Sequence, residues 1–360
     1  MIISVLSAIA AKSLFFMCVS FLICKNTIFV LYSQYIQTVA KDFKTRHRME
    51  KKLYPLKFVP EQGVEDAVVR EGWLEGSSVA DIMETYLDRL VGEKVYNYYG
   101  RQFPVSVRMV RPEGRLPLMV TPSDSIAEAR FDSLGKAKFW YVRSAGSDAK
   151  VALGFKKDIT ASDLYKGCLD GSIESSLNVM DVKAGDSFYI GPGEVHSAWG
   201  DMDIVEISET SALDCKLWDW GHEIAPDELG VIDAIDFVNL SAHVPDIEDF
   251  GHQHHPEDKV SEKLAVKDEF IITKLTLKDA LHIYSEKFDS FLLYYCLEGE
   301  ASFQVKEGGT TRSYMARKGE CMLIPAEIED FLLVPTERNT VLVETYVQRD
   351  DVPDQYINPE

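Results

Sequence analysis

One histidine of this chain lies where a metal ligand would lie in a small β-barrel. Gly185 and Asp186 form a turn that leads into an alternating strand, and a Pro-Gly turn at residues 192–193 then places His196 at the start of the next strand. Such a strand carries its imidazole into the interior, and imidazole nitrogen is a preferred zinc ligand. His196 is therefore a candidate metal ligand. Because one histidine alone does not hold zinc, an interior polar residue is the other interpretation.

A second group of possible ligands lies in residues 251–258, Gly-His-Gln-His-His-Pro-Glu-Asp, the only cluster of histidines in the sequence. His252, His254 and Glu257 have donor types that suit a divalent cation. The segment also lies in a polar stretch of the kind that forms solvated loops. Two interpretations stay open: a loop without ligand, or a metal centre built from His252–His255 together with His196.

The elements that must position these residues are short strands. Alternating apolar segments separated by Gly and Pro turns dominate the chain from Val105 onward. They predict strands at 105–110, 116–121, 138–144, 150–155, 187–190 and 203–208, and then at 270–275, 281–284, 291–297, 302–305, 321–325, 331–334 and 341–347. Helical spacing is found after Ser78, a good N-cap, and over residues 160–171. The pattern predicts a mainly β protein with a small helical component in the N-terminal half.

The two halves repeat one order of elements. Residues 182–193 run through a Gly-acid turn, an alternating strand and a Pro-containing turn, and residues 317–326 do the same. The repeat predicts two copies of one β-barrel, over residues 49–245 and 268–360, joined by a polar linker over 246–267. No histidine follows Pro325, so the second copy lacks a counterpart of His196.

Charge and composition restrict the partners and the location. The chain has 360 residues and a net charge of −20, which argues against nucleic acid and anionic membranes as partners of its body. Six scattered cysteines indicate no disulfide framework and favour the cytoplasm. Residues 1–48 form an apolar leader followed by basic residues. They are either upstream sequence before a natural start at Met49, or a membrane anchor that holds the body in the cytoplasm.

Ordered motifs over residues 53–347 resemble one family. They are Tyr-Pro-Leu-Lys-Phe at 54–58, Leu-Gly-Lys-Ala-Lys-Phe-Trp-Tyr-Val at 134–142, the strand and turn that end at His196, and Lys-Leu-Trp-Asp-Trp-Gly at 216–221. Together they resemble the small bacterial form of the type I mannose-6-phosphate isomerases. That resemblance implies two cupin, or jelly-roll, barrels and a sugar phosphate as the small-molecule ligand.

The resemblance also implies a zinc ion held by two histidines and a glutamate. The corresponding ligand positions of this chain are Thr121, Lys138 and His196, with Met119 beside the first. A lysine at a ligand position adds positive charge beside the cation. We therefore expect zinc to be bound weakly or not at all.

The remaining site residues are likewise implied by the resemblance. Lys136 and Lys216 are the candidate catalytic residues, and Lys216 replaces an arginine of the family. Asp124, Glu206 and Asp219 are the candidate substrate-binding residues.

The expected function is that of a mannose-6-phosphate isomerase homologue in hexose-phosphate metabolism. It would interconvert mannose 6-phosphate and fructose 6-phosphate, with activity reduced or absent because the ligand positions have changed. The alternative is a non-catalytic bicupin that binds a sugar or sugar phosphate as a sensor or as a partner of an active isomerase.

Overall fold

The computed structural model of the chain describes residues 52–60, 63–244 and 261–348. The described residues from Leu53 onward belong to one compact unit. The apolar leader over 1–48 and the cluster His252–His255 lie outside the described residues. In the described part of the chain, no helix is long and apolar enough to cross a membrane.

Two antiparallel sheets form the N-terminal barrel. Their strands are β2 (Val105–Val110), β3 (Leu118–Val120), β4 (Lys138–Ala145), β5 (Lys150–Phe155), β6 (Leu177–Asp181), β7 (Ser187–Ile190), β8 (His196–Trp199), β9 (Met202–Glu209) and β10 (Cys215–Trp218). The sheet orders are β2-β9-β4-β7 and β10-β3-β8-β5-β6. Trp140 and Val142 of the first sheet pack with Leu153 and Ala198 of the second in one buried cluster. The two sheets are therefore opposite walls around a shared interior.

The C-terminal barrel has the same plan. Its strands are β1 (Leu56–Phe58), β11 (Ser261–Val266), β12 (Ile271–Leu277), β13 (Leu281–Tyr284), β14 (Leu292–Glu298), β15 (Glu300–Glu307), β16 (Thr310–Arg317), β17 (Cys321–Ile324), β18 (Asp330–Pro335) and β19 (Thr340–Tyr346). They form sheets of order β1-β17-β14-β19-β12-β11 and β13-β18-β15-β16. Tyr294 of the first sheet packs on Phe303 and Phe331 of the second. The prediction of a mainly β fold with two barrels is confirmed.

Two strands lie in places that the sequence pattern did not reveal. β1 pairs antiparallel with β17, with Leu56 opposite Leu323, so a segment from the range 49–245 completes a sheet of the second barrel. β11 lies inside the range 246–267, where the polar composition predicts a linker. Alternation along such a segment does not reveal its partner strand, because pairing depends on which apolar face of the folded protein the segment covers.

Within the described ranges, the helices lie mostly in the N-terminal half, as predicted. They are α1 (Val79–Tyr86), α2 (Asp88–Val91), α3 (Glu93–Tyr99), α4 (Asp124–Phe131), α5 (Ala161–Asp170) and α6 (Val231–Ala234), with 3-10 turns at Ser172–Ser176 and Ser285–Lys287. Ser78 caps α1 and Thr160 caps α5. Each cap hydroxyl accepts from the backbone N–H of the aspartate three residues on, and the cap's own backbone N–H donates to that aspartate's carboxylate.

A buried cluster joins the two barrels and the helices. Phe139 and Ile207 on the outer face of the sheet β2-β9-β4-β7 pack in the same cluster as Leu293 and Val343 of the second barrel and the apolar faces of α1–α3. Alternation along β4 explains this arrangement, because Phe139 faces outward while Lys138 and Trp140 face the barrel interior. The strand that seals the interface therefore also supplies the interior site.

Candidate functional site

A cavity of about 460 Å³ lies in the N-terminal barrel. Its apolar lining includes Leu116, Met119 and Trp140, and its charged or ionisable lining consists of Arg108, Arg111, Lys138, His196 and Glu206. Its volume is in the range of small-molecule sites, which is about 300–1,000 Å³. The candidate site therefore combines an apolar surface with groups that bind anions and hydroxyls.

Lys138 is a buried cation on the wall of this cavity. Its side chain is 2 % exposed, and its Nζ lies 2.5 Å from Oδ1 of Asp214 and 3.1 Å from Nε2 of His196. The residue begins β4, where the alternation directs it inward with Trp140. The carboxylate of Asp214 compensates the charge that burial would otherwise leave unpaired.

The ring of His196 is held on three sides. An ammonium group can only donate hydrogen bonds, so Nε2 of the ring accepts from Lys138. The ring proton is therefore on Nδ1, which donates it to the Glu194 carbonyl oxygen, 3.1 Å away. Trp140 packs edge-to-face on the ring, with centroids 5.5 Å apart. Burial, and next the ammonium of Lys138, lower the pKa of His196 to about 3. The imidazole is therefore neutral at physiological pH.

We expect the ring resonances of His196 to stay unchanged in an NMR titration of the wild-type chain from pH 8 to pH 5. Protonation would place an imidazolium beside the ammonium of Lys138, which is why the charged form is disfavoured. In Lys138→Met the ring loses that neighbour, and its pKa is expected to rise. A wild-type His196 that titrates between pH 5 and 8 would contradict the assigned hydrogen bonds.

Asp214 serves two lysines. Its Oδ2 lies 2.6 Å from Nζ of Lys136, and its Oδ1 accepts from Lys138. Burial acts to raise the pKa of Asp214, but the two ammonium groups outweigh burial and hold the pKa well below its usual range. Burial lowers the pKa of Lys136, which Asp214 offsets only in part. Lys136 therefore supports the ion-pair cluster and is not among the residues that line the cavity.

Glu206 is the buried centre of a row across three strands. Arg108 of β2 and Trp140 of β4 are its direct cross-strand neighbours. Its Oε1 accepts from Nε and Nη2 of Arg108, both at 2.7 Å, and its Oε2 accepts from Nε1 of Trp140 at 2.8 Å. Although burial would raise the pKa of Glu206, Lys138 and Arg108 lower it below its usual value. An ionised carboxylate is thus fixed on the cavity wall.

Three other predicted site residues do not line the cavity. Nζ of Lys216 lies 2.7 Å from Oε1 of Glu228. Asp124 begins α4 and accepts from the Gly135 amide at 2.8 Å and from the Tyr98 hydroxyl. Asp219 pairs through its backbone with His222. Of the predicted residues, the structure places His196, Lys138 and Glu206 together at the cavity.

The side chains at the three expected ligand positions do not fit zinc. Nε2 of His196, the atom that would face a metal, already accepts from an ammonium, and Lys138 brings positive charge where an anionic ligand is needed. Thr121 is buried, and its hydroxyl has no hydrogen-bond partner within the described residues. No group of three or more His, Cys, Asp or Glu side chains in this part of the chain is arranged to hold a metal ion.

Four residues of the site were not singled out from the sequence for a role: Arg108, Arg111, Trp140 and Asp214. Trp140 lay inside a motif that carried the resemblance, without a role of its own. The evidence for Asp214 in the sequence was only indirect: a lysine that faces the inside of a barrel requires a carboxylate nearby, but the sequence does not say which one. Arg108 occupies an ordinary polar position of an alternating strand, and Arg111 directly follows that strand.

Comparison with known proteins agrees with the motifs. No protein-family model matches the chain. Mannose-6-phosphate isomerase ManA of Bacillus subtilis is 26% identical over 270 residues, which cover 74% of this chain and 82% of that protein. The crystal structure of the mannose 6-phosphate isomerase from Bacillus subtilis aligns with a TM-score of 0.63 at 19% identity, covering 78% of this chain and 85% of that one.

A second solved structure, of a mutant phosphomannose isomerase from Salmonella typhimurium, aligns with a TM-score of 0.59 at 13% identity. It covers 82% of this chain and 91% of that one. The resemblance inferred from the sequence motifs is confirmed, and the fold is the one these proteins share.

Proposed function

Taking the chain as a mannose-6-phosphate isomerase-like protein, we propose that its N-terminal barrel binds a sugar phosphate without using zinc. The observation that carries the proposal is the cavity in which Arg108, Arg111 and Lys138 accompany an apolar wall. Three cations suit a phosphorylated sugar, and the fixed carboxylate of Glu206 suits its hydroxyl groups.

The two arginines are suited to the phosphate. Their side chains are 47% and 65% exposed, so each guanidinium reaches solvent at the cavity. Arg108 is held by Glu206, and Nε of Arg111 is held 2.7 Å from Oδ1 of Asp203. A guanidinium carries five donors, so a carboxylate partner leaves donors for a phosphate oxygen. The carboxylates also fix the side chains in place before the ligand arrives.

The cavity offers less support for zinc-dependent isomerisation. Moving a proton between two carbons of a sugar requires a base and an electrophile that polarises the carbonyl. His196 and Lys138 are bonded to each other. Lys136 bonds the carboxylate that Lys138 also bonds and does not itself line the cavity, and Lys216 bonds Glu228 outside the lining. We therefore derive no step through a metal, and we place the protein in hexose-phosphate metabolism as a binding protein that acts in the cytoplasm as a sensor or as a partner of an active isomerase.

Calorimetric titration of the full chain tests this proposal. We expect mannose 6-phosphate or fructose 6-phosphate to bind with an affinity that EDTA does not change, and mannose alone to bind more weakly. Arg111→Ala is expected to weaken binding about tenfold, because a charge-assisted hydrogen bond is lost. Lys150→Ala, which removes an exposed lysine of β5 paired with Asp181, is the matched control.

A coupled assay for the conversion of mannose 6-phosphate to fructose 6-phosphate completes the test. We expect no turnover with or without added zinc. Stoichiometric zinc with turnover would establish the isomerase instead, and the absence of binding by every sugar phosphate tried would contradict the proposal directly.

A further inference from the structure

We infer that the ammonium group of Lys138 takes the place of a metal ion in this cavity, where it bonds an oxygen of the bound sugar and keeps divalent cations away from His196. This inference rests on the proposed binding of a sugar phosphate, and it assigns the group that receives the sugar end of the ligand.

The contacts of the ammonium are those of a bound cation. Nζ lies between Nε2 of His196, at 3.1 Å, and Oδ1 of Asp214, at 2.5 Å. An imidazole nitrogen and a carboxylate oxygen are also the donors that a divalent metal prefers. These two ligand atoms therefore face the Lys138 ammonium, a cation that belongs to the chain itself.

The ammonium retains a donor for a ligand. A lysine side chain has three N–H groups. Within residues 52–60, 63–244 and 261–348, the contacts found for Nζ of Lys138 are those to His196 and Asp214. Because Lys138 also lines the cavity, its third N–H is available to an oxygen of the ligand.

The surrounding side chains fix the ammonium group in place. Asp214 is shared with Lys136, so two ammonium groups and one carboxylate leave a positive charge at this wall. The carboxylate of Glu206 is taken up by Arg108 and Trp140. His196 is neutral and adds no competing charge. A fixed positive charge on the cavity wall attracts a carbonyl or hydroxyl oxygen without any metal.

The decisive experiment is chemical rescue of Lys138→Ala. We expect the variant to bind mannose 6-phosphate about 10- to 100-fold more weakly than the wild type, the loss that accompanies removal of a charge-assisted hydrogen bond. Methylammonium in the buffer is expected to restore part of the affinity by occupying the vacated space. Because His196 loses the ammonium beside it, added zinc is also expected to shift the His196 ring resonances in the variant and not in the wild type. Lys150→Ala should show none of these changes.

The outcomes separate the two proposals. If the wild-type chain binds no sugar phosphate, the proposed function fails. If the wild type binds and Lys138→Ala binds equally well, with no response to methylammonium, only the inference about Lys138 fails. Thermal unfolding shows whether the variant is folded, and Lys138→Met, which retains most of the side-chain volume, replaces it if not. In the wild type, a shift of the His196 ring resonances on addition of zinc would overturn the inference without any variant.

Discussion

Asp214→Asn is expected to lower the free energy of unfolding by about 3 kcal/mol, which is the scale for removing one partner of a buried ion pair. Asp214 is the shared counterion of Lys136 and Lys138, and the Lys138 side chain is 2 % exposed. An asparagine cannot neutralise two ammonium groups, and its amide would direct donors at them. The 21% exposure of the Asp214 side chain gives solvent limited access, which favours the lower end of the expected range.

Urea unfolding of the wild type and the variant measures this difference. Asp181→Asn removes the carboxylate of an exposed ion pair on the same barrel and is expected to cost less than about 1 kcal/mol. A double-mutant cycle sharpens the result, since Asp214→Asn should cost less in a Lys138→Met background, where one ammonium is already gone. Equal effects of Asp214→Asn and Asp181→Asn would show that the buried lysines do not depend on this carboxylate.

Glu209 is expected to make the fold less stable as pH rises from about 5 to about 7. Burial, opposed only in part by a hydrogen bond from the Ala137 amide, raises the pKa of Glu209 to about 7. The folded chain then holds a proton that the unfolded chain has released, so stability is fully present below the unfolded pKa and is lost as pH passes the folded pKa. The loss is on the order of 3 kcal/mol for a shift of this size.

Glu209→Gln is the variant that isolates this effect. In the wild type the Ala137 amide and the Tyr99 hydroxyl lie 2.9 Å and 3.1 Å from the two carboxylate oxygens. A glutamine keeps one carbonyl oxygen to accept from the Ala137 amide, and its NH2 group can donate to the Tyr99 hydroxyl oxygen. The difference in unfolding free energy between wild type and variant should therefore change between pH 5 and pH 8, with the variant relatively more stable at pH 8. Glu174→Gln, at an exposed position, is the control and should show no such trend. A difference that is the same at both pH values would contradict the raised pKa.

Much of the fold could be predicted from the sequence because its signals are local. The alternation at 105–110, 138–144, 150–155 and 187–190 matches strands β2, β4, β5 and β7 almost residue for residue. The cap Ser78 marked the start of α1 for the same reason, since a capping bond spans three residues. β1 was not placed, because its partner β17 lies more than 250 residues away and many apolar strands could cover that edge.

The candidate site was predictable in part. Motif spacing led to His196 and to the substitutions at Thr121 and Lys138, and interior alternation agreed with Glu206. Lys136, Lys216, Asp124 and Asp219 were predicted as site residues from the resemblance, and the structure places each of them beside a partner outside the cavity lining. Their roles stay predictions from the resemblance.

By itself, the sequence determined that this chain forms two β-barrels and that His196 enters the first of them. It also determined that Thr121 and Lys138 stand where the resemblance implies a second histidine and a glutamate. These conclusions depend on side-chain type and on periods of two and 3.6 residues, which are properties of short segments. Only the tertiary structure decided that Lys138 faces inward, that Asp214, 76 residues further along the chain, neutralises it, and that its ammonium bonds the histidine. A buried charge is stable only beside its counter-charge, and that neighbour is supplied by the closure of the barrel and not by nearness in the sequence.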